Sequence, residues 1–84
     1  MLLRVDGIGE GLHPNEAVVT VQTVDGPRRL IVSRRSIVQD CIEVGAIRER
    51  EDQFLVELPR ETQVGEWRVW VGKNQVRASE RAAV

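Results

Sequence analysis

The sequence predicts an all-β fold: a small antiparallel β-barrel or sandwich of about five to six short strands, with room for one short helical turn. Three observations carry that prediction. Short β-branched runs such as "AVVTVQTV" (Ala17 to Val24) recur along the chain, and such residues fit a pleated, half-buried surface. Glycine, proline, asparagine or paired acids interrupt these runs every eight to twelve residues or so, roughly the rhythm of short strands and tight turns. The 84 residues suffice for one core and no second.

Leu2 to Val5 reads as a short edge strand. "GIGEGLHPN" (Gly7 to Asn15) reads as a loop, because glycine, proline and asparagine punctuate it. Ala17 to Val24 and "RRLIVS" (Arg28 to Ser33) form a hairpin around Asp25-Gly26-Pro27. Pro27 lacks an amide proton and is limited to the turn or an edge. Next, Ile37, Val38, Cys41 and Ile42 recur at helical spacing, and Ser36 with Gln39 resembles a capping box. This predicts a helical turn over 36–42, ended by Gly45. Continuation of the sheet through Ile42 and Val44 is the competing reading.

Ala46 to Arg50 and Gln53 to Leu58 form a second hairpin around Glu51-Asp52, with Phe54, Val56 and Leu58 sharing a face. Pro59 to Glu66 is a polar loop leading to a tryptophan strand, Trp67 to Val71. Gly72-Lys73-Asn74 turns the chain into a last short strand, Gln75 to Arg77. Residues 1–77 thus make one β domain, and 78–84 a flexible tail. Alternation in the tryptophan strand places Trp67, Val69 and Val71 toward the core. Arg68, Trp70 and Gly72 then face outward.

Apolar residues at 42% and charged residues at 30% are ordinary for a soluble globular protein. Apolar runs such as Leu30-Ile31-Val32 are too short to span a bilayer. Met1-Leu2-Leu3 meets charge at Arg4 and Asp6, too early for a signal peptide. A single cysteine forms no internal disulfide, in keeping with a reducing compartment. These features predict a cytoplasmic protein with no membrane partner. The net charge of -1 exerts no global pull toward nucleic acid or anionic lipid. Lys73 is the one lysine among 12 basic residues. Arginine suits phosphate and carboxylate recognition, and the same bias follows from codon usage in a GC-rich bacterial genome.

The inventory of reactive groups is short: one histidine, His13, one cysteine, Cys41, and no tyrosine. A zinc site needs about three or four Cys, His or carboxylate ligands, and no CxxC or HxxxH spacing supplies them. Cys41 falls in phase with Ile37, Val38 and Ile42, which predicts core packing. "GIGEG" has the glycines of a phosphate-cradling loop, yet position 12 is leucine and Pro14 leads into a strand. Such loops work by aiming a helix N-terminus at phosphate. Glu49, Glu51 and Asp52 alternate with Arg48 and Arg50, the pattern of a solvated, self-compensating surface rather than an acid–base pair. The expectation is no catalytic residue, no metal and no cofactor: not an enzyme.

Two features point to binding. Arg28, Arg29, Arg34 and Arg35 bracket one strand, and no acid lies between Gly26 and Gln39. This set suits phosphates, or protects an edge strand from aggregation. The second feature is Trp70 beside Arg68 on the outward face, placed to receive a subunit, a partner side chain or a base.

The opening resembles the carbon storage regulator family of RNA-binding dimers. Met1-Leu2, Gly9-Glu10, Leu12, Val18 and the valine-rich strand ending near Gly26 stand at similar places. The resemblance implies RNA binding but covers only the first third, and Asp6 and Gly7 stand where that family carries two basic residues. "DCIEVG" (40–45) is similar to the D-x-S-x-x-G element of PilZ cyclic-dinucleotide receptors. Here Ile42 replaces the serine, and no two arginines before Asp40 sit four apart. Neither resemblance assigns the chain. The sequence therefore predicts a small interaction domain that binds itself, as a homodimer, or another protein through an exposed β face. The alternative is a nucleic-acid or nucleotide module using Arg28, Arg29, Arg34, Arg35 and Trp70.

Overall fold

The computed structural model describes residues 1–78; the rest of the expected tail, 79–84, lies outside the described residues. In chain order the strands are β1 (Leu2–Arg4), β2 (Gly7–Glu10), β3 (Glu16–Thr23), β4 (Gly26–Ser33), β5 (Cys41–Glu43), β6 (Gly45–Arg50), β7 (Gln53–Glu57), β8 (Arg68–Gly72) and β9 (Val76–Arg77). They form three antiparallel three-stranded sheets, ordered β5-β1-β9, β2-β3-β4 and β6-β7-β8. The all-β, antiparallel expectation holds for the described residues. The sheets remain separate and close no barrel, and the strands are more numerous than the five or six read from the sequence.

One core joins the three sheets. Val19 and Val21 of β3 and Leu30 and Val32 of β4 meet Leu3 of β1, Ile42 of β5, Val56 of β7 and Val69 and Val71 of β8. Each such side chain contributes about 1.5–3 kcal/mol when fully buried. Few are larger than leucine, so backbone links share the work of holding the sheets together. Asp6 N–H donates to the Thr20 carbonyl (2.8 Å), Val24 N–H to Trp70 (3.0 Å) and Gln63 N–H to Arg29 (2.9 Å).

The β3–β4 hairpin runs in unbroken register from Glu16↔Ser33 to Thr23↔Gly26. Its turn residues are Val24-Asp25; Gly26 and Pro27, expected in the turn with Asp25, are the first residues of β4. The β6–β7 hairpin turns at Glu51-Asp52 as expected, with Arg50 opposite Gln53. Three local expectations fail for identifiable reasons. Leu2–Arg4 is the central strand of its sheet, flanked by β5 and β9, because partners about forty and seventy residues away in sequence cover both edges. Gly7–Glu10 pairs with β3 instead of looping. Gly11 is there for a close approach: an added Cβ would lie 2.7 Å from the Glu16 Cβ. Finally, 36–42 is no helix. A 3-10 turn occupies Arg34–Ser36, and Gln39 and Asp40 take φ values of 53° and 62°, a two-residue primed turn that reverses the chain between Val38 and Cys41.

Candidate functional site

The loop that joins β7 to β8 forms one wall of an open groove. Thr62, Gln63 and Glu66 shape and dock the loop. Thr62 N–H donates to the Glu66 carbonyl (2.8 Å), and Gly65 N–H to the Thr62 carbonyl (2.9 Å). Gly65 sits at φ 85°, a region that favours glycine. Glu66 then accepts from Arg28 Nε at 2.9 Å and from the buried Thr62 hydroxyl at 3.4 Å. Arg28 lies opposite Val21 on the core-facing side of the hairpin, and Glu66 supplies the carboxylate that permits this.

Gln63 fastens the same loop to the edge of β4. Its backbone N–H donates to the Arg29 carbonyl (2.9 Å), and its Oε1 accepts from the Arg29 N–H (2.6 Å). Both backbone groups of Arg29 therefore point away from β3. In an antiparallel ladder this orientation repeats every second residue, so the N–H and C=O of Ile31 also point out from the β4 edge. Among the described residues no group bonds to them.

Between this edge and the loop lies the open groove, of about 470 Å³. Its apolar lining comes from Val18 and Ile31, cross-strand partners on the outer face of the hairpin, from Trp67, and from the otherwise buried Leu30. Trp67 is 51% exposed. Arg29 and Arg60 supply two cations, and Glu61 is the one acid in the lining. Four ion pairs form among the described residues, and none uses Arg29 or Arg60.

The expected core position of Trp67 is thus corrected. Strand alternation holds for Val69 and Val71, both buried, and stops before Trp67, which precedes the first residue of β8. Buried Leu58 and Thr62 occupy that end of the structure, and the indole emerges into the groove. Trp70 does lie on the face opposite Val69 and Val71, but it is half-buried, with the Arg50 guanidinium 4.2 Å from its ring centroid.

Of the residues singled out from sequence, only Arg29 lines the groove. Arg28 is held by Glu66. Arg34 Nε donates to the Pro14 carbonyl (3.0 Å), Arg35 lies exposed in the 3-10 turn, and Arg68 pairs with Glu57 at 3.5 Å. Trp67, Gln63 and Arg60 were missed as site residues; the signal available was a tryptophan directly after a glycine-containing polar loop.

Cys41 is buried in β5, and His13 is exposed in the loop between β2 and β3, strands of a different sheet. No cluster of three His, Cys, Asp or Glu able to hold a metal occurs among the described residues. No helix among them is long and apolar enough to cross a membrane. No family model, curated protein or solved structure matches the chain.

Proposed function

We propose that this protein is a non-catalytic interaction domain whose working surface is the groove between β4 and the 59–66 loop, and that its ligand is a protein. The observation that carries the reading is the half-exposed Trp67, which lines the same groove as the apolar Val18 and Ile31. An exposed aromatic that lines a groove is the usual anchor of a binding surface. Val18 and Ile31 support a protein ligand because branched aliphatic side chains receive other aliphatic side chains.

A second reading has its own observation. Arg29 and Arg60 flank the same indole without carboxylate partners, and bases stack on such indoles while phosphates meet the cations. The two separate in one experiment. A random peptide display library is panned against the folded protein and counter-screened against Trp67→Ala. Enriched peptides that lose binding to the variant support the protein reading. Peptides indifferent to Trp67, or none enriched while mixed single-stranded RNA quenches tryptophan emission and high salt abolishes the quenching, replace it with the nucleic-acid reading.

A further inference from the structure

We infer that the groove takes an extended, acidic segment of another protein, which adds as a strand to β4 at Ile31 and sets its carboxylates against Arg29 and Arg60. This deepens the reading above and rests on it.

The first ground is the backbone. Ile31 presents an N–H and a C=O outward beside the groove, with no partner among the described residues. The neighbouring outward position, Arg29, is already paired by Gln63 in the manner of a strand. Gln63 thus shows the geometry that a further strand would continue past Ile31 toward Ser33. An extended peptide there gains main-chain hydrogen bonds for affinity, and alternate side chains enter the groove for specificity.

The second ground is charge, and it decides against a second copy of this chain. The edge of β4 and the turn after it carry Arg29, Arg34 and Arg35, none of them in an ion pair among the described residues, while Arg28 is matched by Glu66. Antiparallel self-pairing of two β4 edges brings the start of the strand in one copy, with Arg29, toward the end of the strand in the other, where Arg34 and Arg35 follow. Like charges opposed across strands disfavour such pairing. A strand bearing glutamate or aspartate meets the same edge with opposite charge. The groove's own Glu61 leaves the balance there positive, against Arg29 and Arg60.

The test uses three synthetic peptides of about eight residues, a common strand length. One alternates glutamate with valine. Its twin replaces glutamate with lysine. A third is the acidic peptide N-methylated at alternate residues, which removes the hydrogen bonds of one strand edge. Each is titrated by fluorescence anisotropy against wild type, Trp67→Ala and the double variant R29E/R60E, whose side chains are exposed.

The expected result is saturable binding of the acidic peptide, weakened about tenfold or more by the lysine exchange and again by N-methylation. R29E/R60E should exchange the order of the acidic and lysine peptides. Equal binding of these two, undiminished binding of the N-methylated peptide, or binding by none overturns the acidic-strand assignment. If the bound peptides still depend on Trp67, the groove remains the site and only its ligand class is wrong. Binding indifferent to all three substitutions removes the groove as well. Displacement of the acidic peptide by mixed single-stranded RNA at lower concentration than unlabelled peptide overturns the assignment in favour of nucleic acid.

Discussion

The two tryptophans stand in the same short segment, and their surroundings differ in one respect that sets what each can do. On the β6-β7-β8 sheet, Trp70 lies beneath the Arg50 guanidinium, Arg68 pairs with Glu57 and Lys73 with Glu49. Every element of a binding surface is present there and most of it is satisfied internally. At the β4 edge, Trp67 is half exposed, Arg29 and Arg60 lack carboxylate partners, and a strand edge is open at Ile31. An arginine near a tryptophan is therefore no mark of a site. What distinguishes one is an indole and a cation that the fold itself has left unmatched.

The largest effect expected of any change on this contrast comes from the layer beneath the groove. Leu30→Ala removes a core side chain from β4, 3% exposed, and should lower stability by about 2–4 kcal/mol in urea unfolding. The adjacent Ile31→Ala, on the outer face, should cost no more than about 1 kcal/mol while weakening ligand capture. A loss at Ile31 as large as at Leu30 would mean that Ile31 is core rather than site.

Next come the two ion pairs, which sharpen the contrast between regions. Glu66→Ala strips Arg28 and Thr62 of a shared acceptor in a partly buried place and should cost about 1–2 kcal/mol. Glu57→Ala breaks a pair whose side chains are 55% and 47% exposed, and solvent screening should hold the cost to about 0.5 kcal/mol or less. Chemical denaturation of the two variants in parallel checks the difference. The smallest effects concern the two arginines. Arg50→Ala should cost about 0.5–1 kcal/mol through the lost cation–π contact and shift Trp70 emission. Arg29→Ala should leave stability within about 0.5 kcal/mol of wild type, since only its backbone is engaged.

Much of this fold was legible where it is local. The β3–β4 hairpin follows from two β-branched runs close in sequence, and the β6–β7 hairpin from the acidic turn at Glu51-Asp52, although its register shifts between Ala46 and Arg48. The helical phasing of Ile37, Val38, Cys41 and Ile42 misled because Gln39 and Asp40 accept positive φ without the glycine that normally signals it. β1 was placed at an edge because nothing in Leu2–Arg4 announces β5 or β9. The site was the least legible part for the same reason. Arg28 meets Glu66 across 38 positions of sequence, and Arg29 meets Gln63 across 34. Without those two contacts, Arg28 looks free for a ligand, the 59–66 loop looks unanchored and Trp67 looks like core. Period-two alternation is reliable inside a ladder, and Trp67 stands at the end of one, where a single backbone bond, from Leu58 N–H to the Trp67 carbonyl (2.8 Å), holds it.

The central claim is that Trp67 lies in an accessible site beside uncompensated cations and Trp70 does not. The most direct measurement is emission quenching of two single-tryptophan variants, Trp70→Phe to report Trp67 and Trp67→Phe to report Trp70, by acrylamide, iodide and caesium. Trp67 should be quenched more readily than Trp70 by acrylamide, and still more by iodide, which Arg29 and Arg60 concentrate locally, with no such gain for caesium. Equal quenching of the two by all three agents, or Trp70 quenched more readily than Trp67, would contradict the account.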